Sequence, residues 1–227
     1  MKKNISLLSI AAVTAVCVFI FAGNALAYWI WTPQTKKFIN PKWAVKDSPK
    51  EQYDWAMGFY EAKDYKRSAI EFEKLTKSYE YSEYAARAQY HVGLSYEKQR
   101  KYYTAFLHFQ KTIDNYPHIE NVDEIVGKEV KIADFYMGKP NPKVMGADIM
   151  PPFDRSVEIY KKVVDNAPFG KYADEAQFKL GLALKKMDSY EEAMEAFQKV
   201  IDNYQTSQWY DKAKFELADC ANRASLK

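Results

Sequence analysis

The hydrophobic and polar positions of the chain occur in the same order twice. Ala88–Pro117 aligns with Ala176–Gln205 without a gap, so each residue lies 88 positions before its mate. Each copy contains two stretches whose apolar residues recur at the spacing that puts them on one face of a helix. The pattern therefore predicts a duplicated pair of antiparallel helices.

Small and aromatic residues mark equivalent places in the two copies. Gly93 and Gly181 each precede an alanine by twelve residues, and Phe109 and Phe197 follow four residues after that alanine. These spacings resemble the tetratricopeptide repeat, in which two antiparallel helices form each unit. We expect the glycines where the helices cross closely, the phenylalanines against the next helix, and Pro117 at the end of the second helix.

The resemblance is incomplete, and it also extends to weaker copies. The tryptophan expected four residues before the glycine is replaced by Gln89 in one copy and Gln177 in the other. In an earlier unit we assign the three small and aromatic positions to Gly58, Ala69 and Phe72, with slightly altered spacing. The repeat thus starts before the duplicated segment.

A further unit and a closing helix complete the array. Ala133 and Tyr136 keep first-helix spacing, and Tyr160 and Pro168 keep that of a second helix. The predicted fold is all-α, a tetratricopeptide-repeat right-handed α-solenoid with about four helical pairs and a C-terminal capping helix. We expect units near 51–82, 86–118, 122–169 with an inserted loop at 137–152, and 174–206, followed by the capping helix at 208–224.

The first residues resemble an export signal. Two lysines precede the uncharged, mostly apolar run Ile5–Ala22, and a small-x-small pattern ends at Ala27. We expect residues 1–27 to be a signal peptide cleaved after Ala27, with a retained membrane anchor as the alternative. Lipidation at Cys17 is disfavoured, because the bacterial lipobox needs a small residue where Val16 stands.

An aromatic segment, 28–48, follows the leader. Thr32-Pro33 is a natural turn start, so Trp29 and Trp31 could form a short hairpin with Phe38. Each tryptophan can bury roughly 150–250 Å². We expect the segment to cap the first repeat, with docking on a partner or membrane surface as the alternative.

Charge and residue chemistry exclude several classes of function. Without the two leader lysines, 31 of the 33 basic residues remain against 30 acidic ones, which does not fit a nucleic-acid binder. The three histidines lack metal-ligand spacing, and no nucleophile motif or phosphate-binding loop is present. Cys220 is a single thiol on an apolar helix, so we expect it to be buried. The sequence predicts a non-enzymatic protein without cofactor or metal.

The remaining hypothesis is a binding groove on the first helices. In tetratricopeptide repeats these helices line the concave surface, which suits an extended or helical segment with apolar anchors. The predicted groove residues are Trp55, Phe59, Arg87, Tyr90, Leu94, Lys98, Phe178, Leu182, Lys185, Lys186, Phe215 and Arg223. Any of the aromatic ones could instead belong to the core between repeats.

An exported chain with the units "YSEYAARAQYHVGLSYE" and "KYADEAQFKLGLALKK" resembles the BamD (ComL-type) outer-membrane protein assembly family. The resemblance implies a periplasmic adaptor, peripheral to the outer membrane, whose partners are barrel-assembly components or unfolded outer-membrane proteins. The missing lipobox departs from that family. The alternative is a coordinator of the Tol-Pal or peptidoglycan-synthesis machinery, as in CpoB-like proteins.

Overall fold

The computed structural model describes residues 30–32, 37–39, 44–139 and 151–226. The predicted leader, its cleavage site, its anchoring and lipidation alternatives, and Trp29 lie outside these residues, as does 140–150 of the predicted insertion. The chain divides into two compact units, Met1–Lys46 and Asp47–Lys227.

Two short strands lie in the described part of the first unit. Strand β1 (Ile30–Thr32) pairs antiparallel with β2 (Lys37–Ile39), and Trp31 lies opposite Phe38 in the ladder. The Phe38 side chain is 62% exposed. A two-stranded hairpin of this length is marginally stable in water by itself.

The second unit is helical within its described residues. Its helices form four antiparallel pairs and a closing helix, in agreement with the predicted all-α architecture. Their bounds are α1 Pro49–Glu61, α2 Tyr65–Ser78, α3 Ala85–Lys98, α4 Tyr102–Asn115, α5 Val122–Met137, α6 Pro152–Asn166, α7 Ala173–Lys186, α8 Tyr190–Asn203 and α9 Tyr210–Ala224. We call α1, α3, α5, α7 and α9 the first helices and the others the second helices.

The duplicated glycines lie where two helices cross at close range. A Cβ atom added to Gly93 would come within 2.4 Å of the Phe109 ring, and one added to Gly181 within 2.5 Å of the Phe197 ring. Both rings are fully buried. Glycine is therefore required because the partner ring occupies the space of a side chain.

The first helical pair corrects the sequence alignment. A Cβ atom at Gly58 would meet nothing within 4 Å. Ala56 takes the crossing position instead, because it is fully buried and precedes the buried Phe72 by sixteen residues, the Gly93–Phe109 spacing. The assignment of Gly58 is wrong, since two small residues stand two positions apart on this helix and only one faces α2.

The turns between paired helices support the corrected alignment. Three of the described non-glycine residues adopt positive φ, namely Lys63 (62°), Arg100 (60°) and Asp188 (59°). Each lies seven positions after a crossing residue, Ala56, Gly93 or Gly181. The turn requires one left-handed residue, which is a strained conformation for side chains other than glycine.

A buried glutamine replaces the tryptophan of the standard repeat. Gln52, Gln89 and Gln177 lie four positions before the crossing residue and are at most 3% exposed. Each donates its side-chain amide to the carbonyl of the residue nineteen positions later on the second helix, at 2.9, 3.5 and 3.0 Å. The glutamine thus joins the two helices of a unit at a place where tryptophan would do so by packing.

The third helical pair carries an acid at this position. Glu129 lies four residues before Ala133 and is fully buried. Its Oε1 accepts a hydrogen bond of 2.8 Å from the Gln110 amide, while Oε2 has no hydrogen-bond partner among the described residues. Burial raises the pKa of the Glu129 carboxyl to about 8.

Candidate protein-binding face

Ion pairs connect neighbouring first helices along one face of the helical unit. Lys128 on α5 lies 3.0 Å from Glu97 on α3, and Lys179 on α7 lies 2.7 Å from Asp134 on α5. We call the exposed surface of these helices the first-helix face. Because charges on consecutive helices pair, its helices are held in a defined spacing.

The same ladder continues to α9 with the charges exchanged. Lys185 on α7 pairs with Glu216 and lies 2.6 Å from Asp219, both on α9. Lys185 and Glu216 lie 88 positions after Glu97 and Lys128, so basic and acidic partners have swapped places. Sequence reasoning missed this ladder. Opposite charges 31 residues apart in both copies were the signal that could have revealed it.

Tyr90 and Phe178, two predicted groove residues, lie in the core between neighbouring helical repeats. They are 7% and 4% exposed. The Tyr90 hydroxyl donates to Glu124 on α5, and burial together with this hydrogen bond raises the pKa of the phenol. The Phe178 ring stacks on Trp209, the N-cap of α9, at a centroid distance of 4.8 Å. The start of the next first helix therefore covers each ring.

Residues beside these rings remain accessible. Leu94 and Leu182 are half-buried, and Lys98 and Lys186, one turn further on, are exposed. The Lys186 Nζ lies 5.5 Å from the centroid of the Phe153 ring. An apolar residue followed by a lysine thus recurs on α3 and α7.

Arg87 also reaches the first-helix face. Its side chain is exposed, and its guanidinium lies 5.1 Å from the ring centroid of Tyr53, which is buried. Tyr53 lies three positions before Ala56, so it is the true counterpart of Tyr90 and Phe178.

Trp55 and Phe59 are assigned to the groove by counting from Gly58, which is not the crossing residue of α1. They form an edge-on pair with ring centroids 5.0 Å apart, and Trp55 is 47% exposed. The corrected register gives Tyr53 and Met57 the repeat positions that the sequence alignment assigns to this pair. The two rings are still an accessible aromatic patch on α1, although they do not occupy the predicted repeat positions.

The last helix differs because no first helix follows it among the described residues. Phe215, the counterpart of Phe178, is 71% exposed. Arg223 is paired with Asp219 at 2.8 Å, and Lys185 is engaged by the same carboxylate. These two cations are already neutralised, so Arg87, Lys98 and Lys186 are the better candidates for contacting an acidic group.

Groups that could support other chemistry are explained by packing. Burial lowers the pKa of His91 and His108 and raises that of the Cys220 thiol, which is fully buried. The described residues contain no cluster of three or more metal-ligating side chains. None of the described helices is both long enough and apolar enough to cross a membrane.

Two segments of the chain, residues 87–118 and 175–207, match the family model for the tetratricopeptide repeat. They are tetratricopeptide repeats. Together with the paired helices, this match confirms the predicted fold class.

No curated protein sequence matches the chain significantly. Among solved structures, a tetratricopeptide repeat protein from Parabacteroides merdae is 13% identical, with 78% of this chain and 61% of that chain covered and a TM-score of 0.44. YrrB, described as a protein with an unusual peptide-binding site, is 15% identical, with 78% of each chain covered and a TM-score of 0.42. MamA (AMB-1) is 15% identical, covering 78% and 82%, with a TM-score of 0.41.

Proposed function

We propose that this protein is a non-enzymatic scaffold that binds segments of other proteins on its first-helix face. The recurrence of an apolar residue and a lysine, Leu94 with Lys98 and Leu182 with Lys186, carries the proposal. The two pairs lie at equivalent positions on helices whose spacing is set by ion pairs. Such a surface suits a helical or extended segment with apolar anchors and an acidic group.

The cellular role that we propose is periplasmic assembly of outer-membrane β-barrel proteins. The leader pattern that ends at Ala27 and the BamD-like repeat units support it. The partners would be barrel-assembly components or unfolded outer-membrane proteins, and membrane association would occur through them. Val16 at the lipobox position favours, as a second candidate, an unanchored coordinator of Tol-Pal or peptidoglycan synthesis.

Photocrosslinking in the native cell tests this proposal. Probes at Leu94 and Leu182 lie on the first-helix face, whereas a probe at Lys111 lies exposed on the second helix α4 and serves as the control. We expect the same partner from both face positions and not from Lys111. Barrel-assembly proteins would support the assembly role, and Tol or murein-synthesis proteins the second candidate. Equal crosslinking from Lys111 would contradict a dedicated face.

A matched substitution checks the same surface. Leu94→Glu and Leu182→Glu place a charge beside the recurring lysines without filling the core, since both positions are half-buried. We expect Leu94→Glu to abolish crosslinking from the Leu182 probe, and Leu182→Glu to abolish crosslinking from the Leu94 probe, while thermal unfolding remains cooperative. Tyr90 and Phe178 are unsuitable for this test, because charging a buried ring position would unfold the repeat.

A further inference from the structure

The duplication extends beyond the aligned sequences to a block of three helices. Helices α2, α3 and α4 correspond to α6, α7 and α8 with the same offset of 88 residues. Ser68 and Ser156 are both fully buried at equivalent crossings. The Tyr116 hydroxyl donates to the Glu80 carbonyl, and the Tyr204 hydroxyl donates to the Pro168 carbonyl 88 positions later. Differences between the blocks can therefore be compared residue by residue.

In the first block, two rings occupy the groove between the second helices. Tyr96 stacks on His108 with centroids 5.0 Å apart and an interplanar angle of 13°. The Tyr96 hydroxyl donates to Glu73 on α2 at 3.3 Å, and the Gln89 amide nitrogen lies 3.0 Å from the imidazole Nδ1 of His108. This groove is filled by the protein's own aromatic side chains.

The second block has smaller residues at these positions. Leu184 replaces Tyr96, and Ala196 replaces His108. A cavity of about 510 Å³ lies there, between α6, α7 and α8, with Val157, Val164 and Leu180 among its apolar lining residues. Its volume falls within the range of roughly 300–1,000 Å³ typical of ligand sites.

The charge at this place is inverted as well. Glu73, which accepts the Tyr96 hydroxyl, corresponds to Lys161 in the second block, and Lys161 lines the cavity. A lysine donates hydrogen bonds and cannot accept them, so the polar end of an occupant must be an acceptor. The cavity is also lined by a second lysine, Lys199, and by the carboxylates of Asp165, Glu192 and Glu195. Because the carboxylates outnumber the lysines, the lining disfavours a fully ionised anion.

We propose that this cavity binds one tyrosine-like side chain of a protein partner. The Tyr96–His108 pair is the internal template for a ring in this groove, and Lys161 can donate to a phenol oxygen. The protein source of the ring rests on the proposed scaffold function. The cavity lies against second helices, so it is a site separate from the first-helix face.

A titration of the full chain with p-cresol, the side-chain analogue of tyrosine, tests the ring site. We expect saturable shifts of the methyl NMR signals of Leu180 and Leu184 and of neighbouring cavity residues. In the double variant Leu184→Tyr with Ala196→His, which restores the residues of the first block, the affinity should fall by about tenfold or more because the space is filled. Equal p-cresol binding by the wild type and this variant would overturn the proposal, as would no saturable shift in the wild type.

Two controls keep the result decisive. Should the double variant lose cooperative unfolding, Ala196→Met replaces it as a smaller filler. Lys161→Met removes the donor and keeps a side chain of similar length, so it should weaken p-cresol binding while leaving the cavity open. An unchanged affinity in Lys161→Met would overturn the role of Lys161 in holding a phenol.

A peptide comparison distinguishes the source of the ring. Acetyl-Gly-Tyr-Gly-amide should bind at the same methyl groups at least as well as p-cresol, and acetyl-Gly-Ala-Gly-amide should not bind. Binding of p-cresol with exclusion of the tyrosine peptide would overturn a protein source. These variants should leave crosslinking from Leu94 unchanged, so failure of this site and failure of the scaffold proposal give different results.

Discussion

The blocks α2–α4 and α6–α8 share their helix crossings and differ in their outer grooves. Gly93 and Gly181 face a phenylalanine ring at nearly the same distance, 2.4 and 2.5 Å from the place that a Cβ atom would take. The groove between second helices contains Tyr96 in one block and an open cavity beside Leu184 in the other. The comparison teaches that close contact between helices restricts residue type, while a solvent-facing groove leaves it free to diverge.

The largest expected effect separates a covered ring from an uncovered one. Phe178→Ala should lower the free energy of unfolding by about 3–5 kcal/mol, since the ring is buried against Trp209. Phe215→Ala, at the equivalent position on α9, should change it by less than about 0.5 kcal/mol because the side chain is 71% exposed. Urea unfolding measures both. Equal losses would show that Phe215 is covered in solution.

Glu129, which stands where α1, α3 and α7 carry a buried glutamine, should have the second-largest effect on the free energy of unfolding. The pKa of Glu129 is raised from 4.5 to about 8 on folding, so between these values the folded state binds more protons than the unfolded state. The free energy of unfolding therefore falls as pH rises through this interval, because the buried carboxyl resists losing its proton. At pH 8.5, Glu129→Gln should raise the unfolding free energy by about 2–4 kcal/mol, and at pH 4.5 it should have little effect.

Urea unfolding at these two pH values checks the Glu129 prediction. Glu83→Gln is the control, because Glu83 is exposed on the loop between α2 and α3. A pH dependence that is the same in wild type and Glu129→Gln would contradict the buried, protonated carboxyl. A glutamine that stabilises equally at both pH values would point to packing instead of ionisation.

The glycine crossings test whether the two blocks are equivalent. Gly93→Ala and Gly181→Ala should each lower stability by about 1–3 kcal/mol, because the new methyl group overlaps a buried ring. Gly58→Ala should instead raise it by about 0.5–1 kcal/mol, since this exposed helical glycine has open space around it. Opposite signs in thermal or urea unfolding would confirm the corrected alignment. A loss at Gly58 would restore the original one.

The smallest effect concerns the groove itself. Leu184→Tyr with Ala196→His should change the unfolding free energy by less than about 1 kcal/mol, since the cavity already offers the space that the first block fills. Differential scanning calorimetry provides the measurement. A loss of several kcal/mol would mean that the groove of the second block cannot accept the residues of the first.

Sequence spacing was sufficient for the helix crossings of the two duplicated copies but not for the exposure of their side chains. The 88-residue offset identified Gly93 and Gly181 because a helix crossing demands a small residue at a regular position. It did not reveal that Tyr90 and Phe178 are buried, because the start of the following first helix covers them. Periodicity on one helix gives the side that faces inward, whereas coverage depends on a neighbour that is distant in sequence.

Local ambiguity explains the other differences. Ala56 and Gly58 are both small, so residue type does not distinguish them. Only Ala56 has the same sequence spacing to Phe72 and to the left-handed Lys63 as the crossing glycines have to their counterparts. Glu129 gave no signal, since an acid in a helix is ordinarily solvated. Its burial became evident only from its equivalence to the glutamines of the other units.

The exposed end helix α9 makes the array extensible. It keeps the pattern of an internal first helix, with Ala218 at the crossing position and Phe215 at the position that a following helix would cover. A copy of α8 joined after α9 through a turn like that at Asp188 would meet an alanine where α8 meets Gly181. Repeat number is thus an adjustable variable of this scaffold, and the length of its face can be altered without redesigning the units already present.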